Sequence, residues 1–364
     1  MKRAINFNAG PAAIPFEVLQ KAQEEMLDWK GTGMSVMEVS HRSKEYEEMH
    51  NHAQDLFREI AGMGSDWKIL FLTGGASTQF AMLPLNFLFD GRKADYISTG
   101  HWGKAAIKEA KRYGEINATS VENPDGSFTR IPAQSELKLD PKATYVHFTS
   151  NNTIYGSQWH YWPEVGAVPL ICDMSSDIFS RPFPTDRFSM VYAGAQKNLG
   201  PSGVTVVAIK EGFLAKAQEQ AKLPTMLSYR TAADNNSLYN TPPCFSIYVL
   251  DLTLQWIKKM GGLEAMKKIN DEKARILYDA IDSSGGFYRG PVQKEARSQM
   301  NVVFRLASEE LEEAFVKEAK AAGIIGVKGH RSTGGIRFSI YNANLVENVA
   351  KSVEFMKAFK AKRG

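Results

Sequence analysis

A chain of 364 residues, 43% hydrophobic and 23% charged, has the make-up of an ordinary soluble globule, not of a disordered or fibrous polymer. Its net charge of +4 is small and scattered, with the longest basic cluster at Lys357, Lys360, Lys362 and Arg363, which excludes a nucleic-acid-binding face and suits anionic substrates. Two cysteines exclude a disulfide scaffold, no secretory leader precedes Asn6, and no run reaches the ~18–20 apolar residues that cross a bilayer, so a cytoplasmic protein without a membrane partner is expected.

Residues 1–15 (ending FNAGPAAIP) carry Pro and Gly without a period and form an N-terminal arm. Pro15 then opens a helix with Val18, Leu19, Ala22, Met26 and Leu27 on one face. Glu45–Ile60 repeats the helical pattern and stops at Gly62 and Gly64. From residue 66 apolar runs alternate with helical ones. KILFL leads through a Gly-rich turn to a helix from Ser77 or Thr78 to Phe89. ADYIS precedes a helix from about Gly103 to Lys111, and YVHFT, VPLIC, MVYAG and VTVVAI follow. This alternation predicts an α/β fold with a mostly parallel sheet covered by helices. A long helix over about Ser246–Met260 stops at Gly261-Gly262. Beyond it come a helix, the strand MNVVFRL, the helix Glu309–Ala322 and the strand IRFSI. Chains of this length outgrow one core at ~250–300 residues. The spacing therefore divides the chain into a large domain over 16–262 and a smaller α+β domain over 263–364.

Ligands of such sheets lie beyond the carboxyl ends of the strands, so the polar residues after each run carry the functional argument. Thr73-Gly74-Gly75-Ala76-Ser77-Thr78-Gln79 follows KILFL and begins a helix. Its free N–H groups and the hydroxyls of Ser77 and Thr78 make a phosphate cradle, or else an ordinary βα turn; the spacing is not that of a P-loop. Asp173 directly follows VPLIC, where a buried carboxylate needs a partner. A protonated heteroaromatic nitrogen would serve, as would a structural hydrogen bond to Ser175. Lys197 follows MVYAGA in a Gly-rich turn, where desolvation could lower its pKa and suit it to Schiff-base chemistry; a surface turn lysine is the alternative. An anion site, a carboxylate and an amine are what pyridoxal phosphate asks for, and Lys197 comes 24 positions after Asp173. Trp102, after YISTG, either lies on the cofactor ring or packs in the core. Thr153 either donates to the cofactor or makes a turn hydrogen bond.

Two His-Arg clusters stand in polar turns, one at Ser40-His41-Arg42-Ser43 and one at Gly329-His330-Arg331-Ser332 leading to Arg337. Arginine forks suit a substrate with two or more acidic groups, although solvated loop arginines would look the same. No metal site is expected: HExxH is absent, and His50 and His52 do not share a helix face.

With these residues in place the chain resembles the phosphoserine aminotransferases, a branch of the fold-type-I pyridoxal-phosphate enzymes. The resemblance rests on NFNAGPAAIP, VMEVSHRS, FLTGGASTQF, TGHWGKA, SNNTIYG, CDMSSD, YAGAQKNLGPSG, YNTPP and HRSTGGIRFSIYN, in family order over residues 6–342. It implies a seven-stranded sheet in the large domain and a homodimer with shared active sites. It also implies Lys197 as the Schiff-base lysine and Asp173 as the partner of the pyridine nitrogen. Trp102 then matches the stacking residue and Thr153 the hydroxyl donor. Ala76, Ser77 and Gln196 match cofactor-contacting positions, and Asn240 and Thr241 match the pair reaching the partner's cofactor phosphate. Arg337 resembles the α-carboxylate arginine, while His41, Arg42, His330 and Arg331 resemble the group around the substrate's distal phosphate or carboxylate. Some members carry arginine where this chain has Ser77. The implied reaction passes the amino group of glutamate to 3-phosphohydroxypyruvate, and the family also serves a related step of pyridoxine synthesis. The rivals are other fold-type-I enzymes, an alanine–glyoxylate aminotransferase or a cysteine desulfurase, and, from another class, a noncatalytic cofactor-binding or scaffolding protein, which would have no need of Lys197.

Overall fold

The strand-like runs after residue 66 pair into one seven-stranded sheet, in a computed structural model that describes residues 3–364. Its strands are β1 (Trp67–Leu72), β2 (Lys93–Ser98), β3 (Glu115–Ser120), β4 (Val146–Thr149), β5 (Leu170–Asp173), β6 (Met190–Gly194) and β7 (Thr205–Lys210). They lie in the order β1-β7-β6-β5-β4-β2-β3. β7 runs antiparallel to both its neighbours, and every other pair is parallel. Every residue of β4, β5 and β6 is buried, as a sheet covered on both faces requires. β3 is a strand that apolar patterning does not announce. Its sequence EINATS is polar and largely exposed because it forms the sheet edge, where polar side chains discourage pairing with another chain.

Alternation along the strands separates two cores. Cys172, Val191 and Val206 point to the face covered by α2 (Lys44–Ala61) and α5 (Cys244–Lys259). Ile171, Tyr192 and Val207 point to the face covered by α3 (Gly75–Phe87) and α4 (His101–Ala110). Helix α1 (Phe16–Glu24) ends earlier than its apolar spacing suggests, and Leu27 is 86% exposed beyond it. Helix α3 begins earlier than expected, because Gly74 takes φ +86° and turns the chain directly from β1 into the helix. A Cβ at Gly74 would stand 1.9 Å from Thr78 Oγ1, so the turn admits only glycine. Among the described residues no helix is long and apolar enough to cross a membrane.

A third core lies between the antiparallel pair β8 (Asn301–Phe304) and β9 (Ile336–Ser339) and the helices α6 (Gly262–Asp282), α7 (Glu309–Ala321) and α8 (Val346–Arg363). The arm joins it: Phe7 is fully buried there, and Ile5–Asn6 pairs in parallel with Ile324–Ile325. Helix α6 belongs to both sides, with Leu263 and Met266 in the core under the sheet and Leu277 and Ile281 in the smaller one. Polar side chains tie the sides together. Asn151, just past β4, donates through Nδ2 to Ser176 Oγ and to Asn301 Oδ1, each at 2.8 Å. Asn301 donates in turn to Ser339 Oγ at 3.0 Å and to Tyr341 Oη at 3.1 Å, and the Tyr341 hydroxyl donates to the Ala9 carbonyl at 2.9 Å.

Midway along α6, Lys273 is fully buried. Its Nζ donates to the carbonyls of Ile340 and Tyr341 at 2.8 Å and of Asn344 at 3.1 Å. Burial pushes this amine down to about 7, while three acceptors match the three N–H bonds of an ammonium. Lys273→Met keeps the bulk but leaves the Ile340 and Asn344 carbonyls without a donor, while the Tyr341 carbonyl keeps only the Asn344 N–H. It is expected to lower unfolding stability by ~2–4 kcal/mol. An unchanged midpoint in denaturant would show that the lysine contributes nothing net.

Candidate active site

The polar residues that end β4 and β5 and those just after β6 face one cleft of about 460 Å³ between the sheet and the smaller core. Ala76, Ser77, Trp102, Thr153, Asp173, Gln196, Lys197, His330 and Arg337 all line it. Lys197 comes just after β6, and its Nζ donates to Thr153 Oγ1 at 2.8 Å. Burial lowers the lysine to about 8, and the Arg337 guanidinium pushes the same way against Asp173 and Asp177. A larger fraction of the amine is therefore neutral near pH 7–8 than for an ordinary lysine.

Asp173 ends β5 and is 2% exposed. Burial pushes its carboxyl upward, while hydrogen bonding from Ser175 and the charge of Lys197 oppose the rise. The Ser175 N–H donates to Asp173 Oδ1 at 2.9 Å, and Ser175 Oγ accepts the Gly194 N–H at 3.1 Å. The carboxylate is thus locked to β6, the strand that delivers Lys197. Arg337 sits on β9 and reaches across from the smaller core, donating through Nη1 to the Thr153 carbonyl at 3.2 Å. Its Nε and the Trp102 Nε1 are buried without an acceptor among the described residues, so the cleft has donors to spare.

The first turn of α3 adds backbone N–H groups that a helix leaves unpaired. The Thr78 hydroxyl bonds back to the Gly74 carbonyl at 3.1 Å, which leaves Ser77 and the backbone facing the cleft. The arm closes another side. The Ala12 N–H donates to the Gln196 carbonyl at 2.8 Å, and a Cβ at Gly10, where φ is +145°, would stand 3.4 Å from Lys197 Cγ.

Other expected residues lie outside this cleft in the single chain. Asn240 and Thr241 are exposed, and Asn240 lines a separate cavity with Thr73 and Thr78. Arg42 is exposed and His41 half-buried in the turn before α2. Arg331 is exposed on the loop whose neighbouring residue His330 reaches the cleft. Burial lowers the His330 pKa, helped by the charges of Arg337 and Arg331. Sequence reasoning passed over Gly10, Asn151 and Ser176 as cleft residues and weighed Ser175 only as a structural partner of Asp173. Ser175 had a readable signal, because an Asp side chain often accepts the N–H two residues on. Gly10 had none, since its neighbour is far along the chain.

The arrangement offers an amine with a lowered pKa, a buried carboxylate, a helix start and an arginine fork around one space. That set fits pyridoxal phosphate with an amino-acid substrate, and the surplus donors fit anions. The family model for class-V aminotransferases matches residues 4–351. The phosphoserine aminotransferase of Herpetosiphon aurantiacus is 54% identical over 99% of both chains, and that of Niallia circulans 53% identical over 100% of this chain and 99% of the relative. The solved phosphoserine aminotransferase of Bacillus circulans subsp. alkalophilus superposes with a TM-score of 0.96 at 53% identity, covering 100% of both chains. A pyridoxal-phosphate-bound phosphoserine aminotransferase from Trichomonas vaginalis gives 0.92 at 38% identity, over 98% of this chain and 100% of that one. Shared sequence along nearly its whole length and a shared fold place this chain in the class-V aminotransferase family, among the phosphoserine aminotransferases.

Proposed function

We propose that this protein transfers the amino group of L-glutamate to 3-phosphohydroxypyruvate, giving 2-oxoglutarate and O-phospho-L-serine, with pyridoxal phosphate as cofactor. The observation that carries the reading is Lys197, brought down to about 8 and bonded to Thr153 in a cleft shared with Asp173 and Arg337. Pyridoxal phosphate, when bound, supplies the electron sink that lets an amino acid lose its α-proton. Asp173 would keep the ring nitrogen protonated, Trp102 would cover the ring, and Thr153 would donate beside it. Ala76, Ser77 and Gln196 would hold the remainder at the start of α3, where the phosphate relies on backbone N–H groups and Ser77 without an arginine.

Lys197 acts as the base. Its neutral Nζ takes the α-proton and returns it in the reverse sense, the ammonium form being steadied by Thr153 Oγ1 and the charge of Asp173. Arg337 offers its unpartnered Nε to the substrate α-carboxylate. His330 and Arg331, with His41 and Arg42, receive the distal phosphate or carboxylate. The exposed positions of Arg42, Asn240 and Thr241 suit a homodimer in which these residues complete the partner's site. The same chemistry extends to the phosphorylated keto acid of pyridoxine synthesis, in the cytoplasm. A desulfurase reading needs a reachable thiol, whereas Cys172 is fully buried with its pKa pushed well up, and Cys244 is half-buried at the start of α5.

The purified protein should show the absorption of an enzyme-bound aldehyde cofactor, release about one equivalent of 2-oxoglutarate per site with glutamate alone, and form it continuously only when both substrates are present. A spectrum indifferent to glutamate would sink the proposal. Lys197→Ala is expected to abolish turnover while the unfolding midpoint stays close to that of the parent. For cofactor-free protein, the rate of pyridoxal phosphate uptake should climb with pH and level off above about 8, because only the neutral Lys197 amine is nucleophilic. A rise continuing to pH 10 would mean that the lysine behaves as an ordinary one. Mixed dimers of Lys197→Ala and Arg42→Ala subunits should regain activity at low substrate, since one of their two sites would be intact. No recovery would argue against a shared site.

A further inference from the structure

The loop that carries His330 and Arg331 is held from behind by two residues that never reach the cleft. Arg305 directly follows β8, and Glu312 lies in the first turn of α7, whose cap Ser308 accepts the Leu311 N–H at 3.3 Å. The Glu312 side chain is only 7% exposed, and both its oxygens are engaged. Oε1 accepts from Arg305 Nε at 2.6 Å and from the Leu306 N–H at 3.2 Å. Oε2 accepts the Gly335 N–H at 3.0 Å. Arg305 Nη1 then donates to the Thr333 carbonyl at 2.7 Å.

Those two attachments grip the loop immediately after His330 and Arg331. Inside it the His330 carbonyl accepts the N–H groups of Thr333 at 3.0 Å and Gly334 at 2.8 Å, and the Gly329 N–H donates to the Gly335 carbonyl at 2.8 Å. Glycines let it lie flat on its support. A Cβ at Gly335 would stand 2.7 Å from Arg305 Cδ, and one at Gly329 would stand 1.9 Å from the Gly334 carbonyl oxygen. A loop with this much glycine and this much exposure would otherwise lose considerable freedom on gripping a ligand. Two of the Arg305 nitrogens, Nε and Nη1, are taken by Glu312 and Thr333, which commits the guanidinium to supporting the loop.

We propose that Arg305 and Glu312 are positioning residues for the substrate's distal anion, setting His330 and Arg331 in their receiving geometry before the substrate arrives. The inference rests on the reading of His330 and Arg331 given under the proposed function. Charge-assisted bonds from a buried carboxylate make the support stiff, and removing either partner leaves the other poorly satisfied. Glu312→Gln keeps an acceptor for Arg305 but turns an amide N–H toward the Gly335 N–H, which releases one attachment.

The test is steady-state kinetics of the holoenzyme with Glu312→Gln, Arg305→Lys, Arg305→Met and Arg331→Ala. Glu312→Gln and Arg305→Met are expected to raise the apparent KM for 3-phosphohydroxypyruvate about tenfold with kcat within about twofold, as misplaced binding groups do. Arg305→Lys, the mildest change, should recover part of the loss and serves if the others fold poorly. The double variant Glu312→Gln/Arg331→Ala should lose less than the product of the single effects, because both act through the same group. If Arg331→Ala raises KM while the supporting variants do not, or if they lower kcat with KM unchanged, the positioning role is overturned. If Arg331→Ala itself leaves KM unchanged, the substrate-site reading fails instead, and the positioning role falls with it.

Discussion

An amine and a carboxylate share the interior of this protein at the ends of two neighbouring strands. Burial alone disfavours both charges, pulling Lys197 down and Asp173 up, and each is partly restored by the other. Such a pair is a poor source of stability, because desolvation offsets most of the Coulomb attraction. The surrounding structure is shaped to tolerate it. Ser175 gives the carboxylate a backbone donor and fastens it to β6, Thr153 accepts from the amine, and Gly10 lets the arm approach the lysine stem. Two apolar cores on opposite faces of the sheet supply the rigidity that this arrangement consumes.

The smaller core matters to the site because it brings groups that can receive an anion to the open side. Arg337 crosses from β9 to the Thr153 carbonyl, and His330 comes from the loop just before that strand. Their placement is only as firm as the seam between the two sides. That seam is polar: Asn151 donates to Asn301, Asn270 of α6 to the Ser180 carbonyl, and the Asn342 N–H to Asn198 Oδ1. Buried polar contacts with every partner supplied specify one relative placement more sharply than apolar packing would. The site therefore has a rigid floor in the sheet and a moored flank in the smaller core.

How much of this was legible along the chain depends on the residue. Asp173 and Lys197 were readable because each is a charge at the end of an apolar run, where burial makes a charge costly and hence informative. The sheet's buried strands were readable for the same reason, their unbroken apolar character betraying cover on both faces. β3 escaped because an edge strand may be polar throughout, and the early start of α3 escaped because Gly74 and Gly75 are poor helix formers. Met26 and Leu27 misled in the opposite direction, continuing an apolar spacing past the end of α1. Asn151 and Ser176, whose side chains pair in the wall of the cleft, look in sequence like ordinary loop residues.

By itself the sequence determined the fold class, the strand-end positions of Asp173 and Lys197, and a family resemblance spread over the whole length of the chain. These follow from periodicity and from the cost of burying charge, which act over a few residues and leave a local trace. Only the tertiary structure decided that Arg337 meets Thr153, 184 positions away, that Gly10 closes on Lys197, and that Arg305 and Glu312 stand behind the loop of His330. Those encounters depend on how separate elements pack against each other, and no short-range pattern records that. It is also the three-dimensional arrangement that leaves Arg42, Asn240 and Thr241 exposed and outside the cleft of their own chain, because a residue's distance from a site is a property of the packed surface and not of its neighbours in sequence.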